Sequence, residues 1–384
     1  MIDIRNVRSE NRLAEIAVAF LRLGFVAFGG AAAHIALMEE EFVRRRGWLS
    51  REEFVDRVGA VNLLPGPSST EMAIYLGHLR GGKPGLLIAG AAFILPAAFM
   101  MLAMAWAYVR YGALPQIAGL LWGVKPVVVV LIAQAVWTLG KTALKSRELT
   151  VIAAIVVGLA AMHVSTLALL IGTGVAWIVA NRFGEKRAAQ NVAVAAASVA
   201  GGAATAAAVT TAGVFVYFLK IGALLFGSGY VLLAVLREDL VTRMHWLTET
   251  QLLDGIAVSQ ATPGPFFTVA TFLGYVLSGW RGAALGTMGM FVPAFVYVAV
   301  TASVLPRLRK SPTASTFLDG VNAAAVALMA FVGFQFAQGA VVTPLAVVIA
   351  LVSAVLMFRY RVNSAWLILG GAVCGLVVKF AGVG

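Results

Sequence analysis

Long apolar segments, several of them broken by glycine or proline, alternate with short polar stretches along the whole chain. Two of the apolar segments, Leu13–Met38 and Gly213–Leu236, contain closely spaced glycines, and two others, Val58–Leu79 and Gly255–Gly279, are split by Pro-Gly-Pro. Neither kind of break continues an α-helix, because proline lacks the N–H donor and glycine favours non-helical backbone. The pattern therefore predicts interrupted helices, with each Pro-Gly-Pro at the tip of a re-entrant helical hairpin.

Unbroken apolar segments complete the pattern, and most are long enough to cross a bilayer as helices. They are Gly85–Val109, Leu114–Gly140, Leu149–Met162, Ser165–Ala180, Gly282–Leu305, Thr313–Ala337, Val341–Phe358 and Asn363–Ala381. Two amphipathic stretches, Glu39–Arg57 and Arg237–Asp254, each carry a tryptophan, the residue that anchors helices at the membrane interface.

The chain repeats itself, since Phe20–Pro67 aligns without a gap with Phe218–Pro265. The shared residues include the Phe-Gly pair, the Trp-Leu pair and the whole Pro-Gly-Pro motif. In an apolar chain, such a repeat indicates a transporter built from two halves around a shared site. We predict a first repeat at residues 1–190, a connecting Ala-rich helix or linker at 191–211, and a second repeat at 212–384.

Composition excludes a water-soluble protein. The chain is 61% hydrophobic and 12% charged, with a mean hydropathy of +0.91, and a soluble domain of this length has no means of burying so much apolar surface. The net charge of +12 does not indicate nucleic-acid binding, because Lys and Arg cluster in short loops between apolar segments. We expect an all-α polytopic protein that crosses a membrane several times.

The distribution of Lys and Arg predicts that the two repeats are inverted. Equivalent loops carry opposite charge bias, so they are expected on opposite sides of the membrane. If the broken segments are hairpins, inversion requires Val192–Thr211 to cross the membrane, which leaves Arg5, Arg8 and Arg12 in the cytoplasm. In the rival topology the broken segments cross fully and Val192–Thr211 is a linker; this places the three arginines outside, and the charge bias favours it less.

Several motifs resemble the chromate transporter family in its long, two-domain form. In the first repeat they are Phe28-Gly29-Gly30 with His34, the run Glu39–Leu49, Asn62–Pro67 and Ala73–Gly77; in the second they are Lys220–Tyr230, Gln260–Pro265 and Ala270–Tyr275. One departure is Ala31, where the family usually has proline. The resemblance implies efflux of chromate from the cytoplasm, driven by the proton motive force, without a cofactor. Sulfate, the isosteric dianion, is the expected competitor.

A dianion inside the membrane requires positive charge and N–H donors, which helix N-termini provide. A helix is expected to begin at Pro67 and at Pro265, and Arg22 and Lys220 are equivalent cations within apolar segments. The predicted substrate-binding residues are Arg22, Gly29, Gly30, Asn62, Pro65, Gly66, Pro67, Ser68, Ser69, Lys220, Gly227, Ser228, Gly229, Gln260, Pro263, Gly264, Pro265 and Thr268. Two plainer interpretations stay open: Pro-Gly-Pro forms only a tight turn, and the two cations extend to the interface.

Other chemistry is indicated less strongly. Glu71, one turn after the first tip, is the candidate for proton coupling, and Lys125 is a weaker anion candidate because its charge is not duplicated. The spacing of His34, His78 and the Glu39–Glu41 run is not diagnostic of a metal site, so we expect no metal. Without a nucleophile or metal cluster we expect no enzymatic activity, and we expect no nucleic acid as a partner. The expected partners are chromate or sulfate, protons and the lipid bilayer, and a homodimer is allowed. A sulfate or oxyanion carrier and a passive anion channel are the alternative functions.

The inverted topology is testable with reporter fusions. Fusions after Arg187 and after Arg309 are expected to report the cytoplasm, although they lie at non-equivalent positions of the two repeats, and a fusion after Gly384 is expected to report the outside. A cytoplasmic C-terminus contradicts the inversion.

Overall fold

The computed structural model describes residues 4–112, 114–183, 208–226, 229, 231–302 and 311–381, and this part of the chain is helical. The first repeat contains α1 (Ile4–Val26), α2 (Ala31–Met38), a π-helical segment (Glu39–Arg45), α3 (Arg51–Val61), α4 (Ser68–Tyr111), α5 (Pro115–Ala143), α6 (Arg147–Ala161) and α7 (Thr166–Phe183). The second contains α8 (Thr211–Leu224), α9 (Val231–Leu236), a π-helical segment (Arg237–Arg243), α10 (Glu249–Ala261), a 3-10 turn (Phe266–Thr268), α11 (Val269–Thr301), α12 (Pro312–Ala340), α13 (Pro344–Tyr360) and α14 (Ser364–Phe380).

Four of the described helical segments are long and apolar enough to cross a membrane. They are Ser68–Tyr111, Gln116–Ala143, Phe266–Thr301 and Pro312–Ala340. Shorter apolar helices accompany them, so the protein is an all-α polytopic membrane protein, as predicted. Most of the predicted connecting helix at 192–211 lies outside the described residues.

The chain forms two compact units that cut across the two sequence repeats. One consists of Met1–Ala105, Thr210–Leu225 and Thr262–Ser311, and the other of Trp106–Val209, Phe226–Ala261 and Pro312–Gly384. The first unit thus contains both Pro-Gly-Pro motifs and the ends of α1 and α8.

In the first unit, α1 and the segment after it form an antiparallel hairpin. The rings of Phe20 and Phe42 stack with centroids 4.7 Å apart, and Glu15 accepts hydrogen bonds from Arg46 (3.2 Å) and from the Trp48 indole (3.1 Å). Residues on either side of the glycine break therefore face each other. The chain reverses at the break, as the favoured topology predicts.

A second hairpin follows, with Pro-Gly-Pro at its tip. The Arg57 guanidinium lies 5.6 Å from the Tyr75 ring centre, and that of Arg80 lies 5.3 Å from the ring of Trp48, so α3 and the first arm of α4 run antiparallel. This arm ends at Gly82, where the backbone is non-helical. It is roughly 20 Å long at 1.5 Å per residue, which is shorter than the hydrocarbon core of a bilayer. We interpret the hairpin as re-entrant.

The chain folds back again at equivalent glycines in both repeats. Gly82 has φ 63° and ψ −151°, and Gly279 in α11 has φ 61° and ψ −150°. A few residues away, Gly77 packs against Gly85, and Gly274 packs against Gly282, so closely that a β-carbon at any of these four positions would meet backbone atoms. In each repeat, the helical arm before this glycine therefore packs directly on the longer arm after it.

The second unit shows the inversion of the repeats. The equivalent helices α5 and α12 run antiparallel, because Lys145 at the end of α5 bonds to Asp319 near the start of α12 at 2.8 Å, and Ile132 lies against Gly333. Glycine contacts also recur in equivalent pairs, namely Gly123 with Gly371 and Gly174 with Gly320. In this unit, equivalent helices of the two repeats therefore run in opposite directions, as inverted repeats require.

The predicted amphipathic stretch Glu39–Arg57 is divided between two helical elements. The π-helical segment ends at Arg45, and α3 begins at Arg51, before the predicted start of the re-entrant segment at Val58. A capping box explains the start: the Ser50 hydroxyl accepts from Glu53 N–H at 3.1 Å, and the Glu53 carboxylate accepts from Ser50 N–H at 2.9 Å. The entering arm of the hairpin is therefore longer than predicted.

A buried ion pair joins α5 to α10 in the second unit. Lys125 Nζ lies 3.1 Å from Asp254 Oδ1, and the Tyr108 hydroxyl donates to Asp254 Oδ2 at 3.0 Å. Asp254 is buried and the Lys125 side chain is only 18% exposed. The positive charge of Lys125 is therefore compensated inside the protein, which weakens its candidacy as an anion ligand.

We expect Lys125→Met alone to lower the free energy of unfolding by about 3–5 kcal/mol, because it leaves a buried carboxylate without its counter-charge. The double variant Lys125→Met/Asp254→Leu should recover most of that loss. Unfolding of the purified protein in detergent measures both. Lys145→Met, just after the end of α5, is the control, since its pair with Asp319 is exposed and contributes under about 1 kcal/mol. Equal losses for the two lysines would contradict the account.

Candidate functional site at the helix breaks

Each Pro-Gly-Pro tip is hydrogen-bonded to the helix break of the other repeat. Gly66 N–H donates to Leu225 O at 2.7 Å, and Gly264 N–H donates to Ala27 O at 2.8 Å. The two glycines are equivalent in the sequence alignment, and so are the two carbonyls. All four residues belong to the first unit. The structure thus brings together the two tips and the ends of α1 and α8.

Both backbone conformation and lack of space require glycine at the two tips. Gly66 has φ 128° and Gly264 has φ 96°, a backbone region that other residues rarely adopt. A β-carbon on Gly264 would lie 2.5 Å from Ala97 Cβ, and one on Gly66 would lie 2.9 Å from Glu71 Oε1, so neither has room. The carbonyl oxygens of Gly24 and Gly222 would each lie 3.5 Å from the added carbon, in ordinary contact. Gly24 and Gly222 are again equivalent, so the two crossings have the same geometry.

The helix after the first tip begins one residue after the predicted start at Pro67. α4 starts at Ser68, and the N–H groups of Thr70 and Glu71 bond to Pro67 O at 2.7 and 3.0 Å. The first turn of a helix presents N–H groups without helical partners and carries the positive end of the helix dipole. This end of α4 is therefore suited to an anion.

The second tip differs from the prediction. A 3-10 turn follows Pro265, and α11 begins only at Val269. The Thr268 hydroxyl donates to Pro265 O at 2.7 Å, which stabilises the turn. Because Thr268 is buried and its donor is used, its predicted role as a hydroxyl ligand is not favoured by the geometry.

Of the hydroxyl groups at the first tip, one is already engaged. Ser69 is buried, and its Oγ lies 3.1 Å from His34 Nδ1. Ser68 is half-buried, and Thr70 is fully buried with no hydrogen-bond partner for Oγ1 among the described residues. Ser68, rather than Ser69, is the hydroxyl that a ligand reaches most readily.

The two predicted cations are exposed. Arg22 on α1 and Lys220 on α8 each precede the glycine that faces a tip by two residues, and neither forms an ion pair or hydrogen bond with a described residue. Both charges are thus available to a ligand.

The remaining predicted residues are spread more widely. In the first unit, Asn62 caps the end of α3 and is exposed, as is Gly29, which has φ 101°. Gly30 and Pro65 are half-buried, and Pro67 is buried. Pro263 is buried beside the second tip. In the second unit, Gln260 is half-buried in the last turn of α10, with no partner for Nε2 among the described residues, and Gly229 is half-buried. Gly227 and Ser228 lie outside the described residues.

Glu71 lies inside the first unit, directly behind the first tip. It is fully buried, and neither carboxyl oxygen has a hydrogen-bond partner among the described residues. A β-carbon on Gly66 would lie 2.9 Å from Glu71 Oε1, so the acid packs against the tip itself. Tyr297 lies within electrostatic range of Glu71, and its hydroxyl donates to Ala223 O at 2.8 Å. Sequence reasoning did not identify this tyrosine, because nothing in its spacing marks it.

The described residues contain no group of three or more His, Cys, Asp or Glu side chains placed to hold a metal ion. What the arrangement offers is N–H donors at a helix N-terminus, two uncompensated cations near the helix breaks, and one buried acid.

Comparison with known proteins gives the family. The chromate transporter family model matches residues 14–180 and 212–376. A chromate transport protein of Cupriavidus metallidurans is 30% identical over 95% of this chain and 93% of its own length. One from Pseudomonas aeruginosa is 32% identical over 94% of this chain and 91% of its own length. A probable chromate transport protein of Synechococcus elongatus is 28% identical over 85% of each chain. No solved structure matches. With both repeats matched, this chain belongs to the chromate transporter family of membrane transport proteins.

Proposed function

We propose that the protein exports chromate across the bacterial inner membrane, with the proton motive force as the energy source. Family membership supports the substrate. The observation that carries the proposal is the pair of reciprocal bonds from Gly66 and Gly264, because they bring both tips to the ends of α1 and α8. Transporters commonly build their binding sites from such discontinuous helices.

A tetrahedral dianion fits this arrangement by charge. The N-terminus of α4 supplies partial positive charge and N–H donors, and Arg22 and Lys220 supply two full positive charges. Two cations match the charge of chromate, and they match sulfate equally well. Discrimination between the two anions therefore has to come from size and hydrogen-bond geometry, and sulfate is the natural competitor in any assay.

Glu71 is the proposed proton carrier. A charged carboxylate without a hydrogen-bond partner is costly to bury, so the neutral acid is favoured while the tip is packed as observed. Because Glu71 contacts Gly66, movement of the tip on anion binding or release changes the surroundings of the acid. This contact supplies a physical route by which proton and anion movements are linked.

A passive anion channel would use the same donors but would not need Glu71. Chromate accumulation against its gradient in everted vesicles, with and without a protonophore, separates the two functions. Accumulation that the protonophore abolishes is the expected result for the carrier, whereas a channel only equilibrates the anion.

The cations are tested by Arg22→Gln and Lys220→Gln. These changes remove the charge and keep most of the side-chain length. We expect each to weaken the apparent affinity for chromate by about 30- to 150-fold, the effect of losing a desolvated charge-assisted hydrogen bond of about 2–3 kcal/mol. Efflux rates as a function of chromate concentration, normalised to protein in the membrane, give the affinity.

Lys379→Gln is the control for this experiment, because Lys379 is an exposed cation near the end of α14 in the other unit. Unchanged affinity in both Arg22→Gln and Lys220→Gln would show that the two cations extend to the interface. The anion site would then lie elsewhere.

Proton coupling is tested by Glu71→Gln, which keeps the shape of the neutral acid. We expect the variant to retain chromate exchange between equal pools but to lose the acceleration that an imposed pH gradient gives the wild-type protein. Glu148→Gln, at a half-buried carboxyl in the first turn of α6 in the other unit, should respond like the wild type. If Glu71→Gln keeps the full response to the gradient, Glu71 is not the proton carrier.

A further inference from the structure

His34 connects the first helix break to the first tip through two hydrogen bonds. Its Nε2 lies 3.1 Å from Ala27 O, and its Nδ1 lies 3.1 Å from Ser69 Oγ. The imidazole is buried and stands edge-on to Phe93, with ring centres 5.7 Å apart. The side chain is therefore fixed in position and has no contact with bulk solvent.

The carbonyl that His34 contacts is the one that also holds the second tip. Ala27 O accepts the N–H of Gly264 at 2.8 Å as well as the bond from His34. A chain of three hydrogen bonds thus runs from Gly264 through Ala27 and His34 to Ser69. It links the second tip, the first break and the first tip.

The donor directions follow from the acceptors. A carbonyl oxygen only accepts, so Nε2 carries the hydrogen in the bond to Ala27 O. In the neutral imidazole Nδ1 then accepts, and the Ser69 hydroxyl donates to it. This fixes the first turn of α4, including the N–H groups that face a ligand, relative to the end of α1.

We propose that His34 is a positioning residue, which aligns the N–H donors of the first tip with the helix break and thereby sets chromate affinity. The inference rests on the proposed function for its substrate, but the alignment itself is a property of the protein alone. The second repeat has Leu232 at the equivalent position, so the link exists on one side of the site and makes its two halves unequal.

Two amide substitutions separate the two bonds. Asn places its carbonyl oxygen near the position of Nδ1, so His34→Asn should keep the bond from Ser69 and lose the one to Ala27. Gln places its amide nitrogen near the position of Nε2, so His34→Gln should keep the bond to Ala27 and lose the one from Ser69. Ser69→Ala removes the same bond as His34→Gln by another route.

Hydrogen–deuterium exchange of the full chain in lipid nanodiscs tests the alignment without substrate. In His34→Gln and in Ser69→Ala, peptides covering the first tip should exchange about fivefold faster, the effect of one net hydrogen bond. In His34→Asn the first tip should stay near the wild-type rate. His78→Gln, at a histidine on the first arm of α4, should change the exchange rate of neither tip. The positioning role is wrong if His34→Asn and His34→Gln give the same exchange pattern. It is also wrong if the first tip exchanges at the wild-type rate in His34→Gln and in Ser69→Ala.

Transport then tests the consequence for affinity. His34→Gln should raise the chromate concentration for half-maximal efflux by about tenfold, with His34→Asn within about threefold of the wild type. Adding Ser69→Ala to His34→Gln should have no further effect, because both remove one bond. If the double variant loses the sum of the affinity losses of the two single variants, the link between His34 and Ser69 is wrong. If the wild type moves no chromate, the proposed function fails while the exchange result still decides the alignment.

Discussion

Two backbone hydrogen bonds, from Gly66 N–H to Leu225 O and from Gly264 N–H to Ala27 O, are the constraint on which the candidate site depends. An interrupted helix in a membrane leaves backbone groups without partners, and hydrocarbon offers none. Here each interruption supplies the partner for the other repeat's tip. Because the contacts are reciprocal, the two halves of the duplicated sequence meet in one place, which is a single candidate site.

The reciprocal bonds explain where glycine is required. Gly66 and Gly264 have positive φ, and a β-carbon on them would come too close to the side chains of Glu71 and Ala97, respectively. The N–H donors of the candidate site, at the start of α4, belong to the backbone. Such donors are fixed before a ligand arrives, which limits the free energy lost to reorganisation on binding.

Much of the fold was predictable from the sequence because it depends on local backbone chemistry. The breaks at Gly29 and at the first Pro-Gly-Pro, and the helix start at Ser68, follow from residues that disfavour or initiate helices. The start of α3 was also predictable, since Ser50 and Glu53 have capping-box spacing, but the hydropathy pattern obscured it. The 3-10 turn after Pro265 and the pairing of Lys125 with Asp254 depend on tertiary contacts. For the same reason, the sequence indicated Ser69 as a ligand, whereas the fold places it against His34.

Chromate binding to the purified protein tests whether the two tips form one anion site. Titration calorimetry on Gly66→Ala and Gly264→Ala should each show affinity weakened by about tenfold or more, because a β-carbon at positive φ costs about 1–2 kcal/mol and displaces the tip. Gly158→Ala, on α6 with open space around it, should bind like the wild type. Wild-type affinity in either tip variant would contradict a shared site.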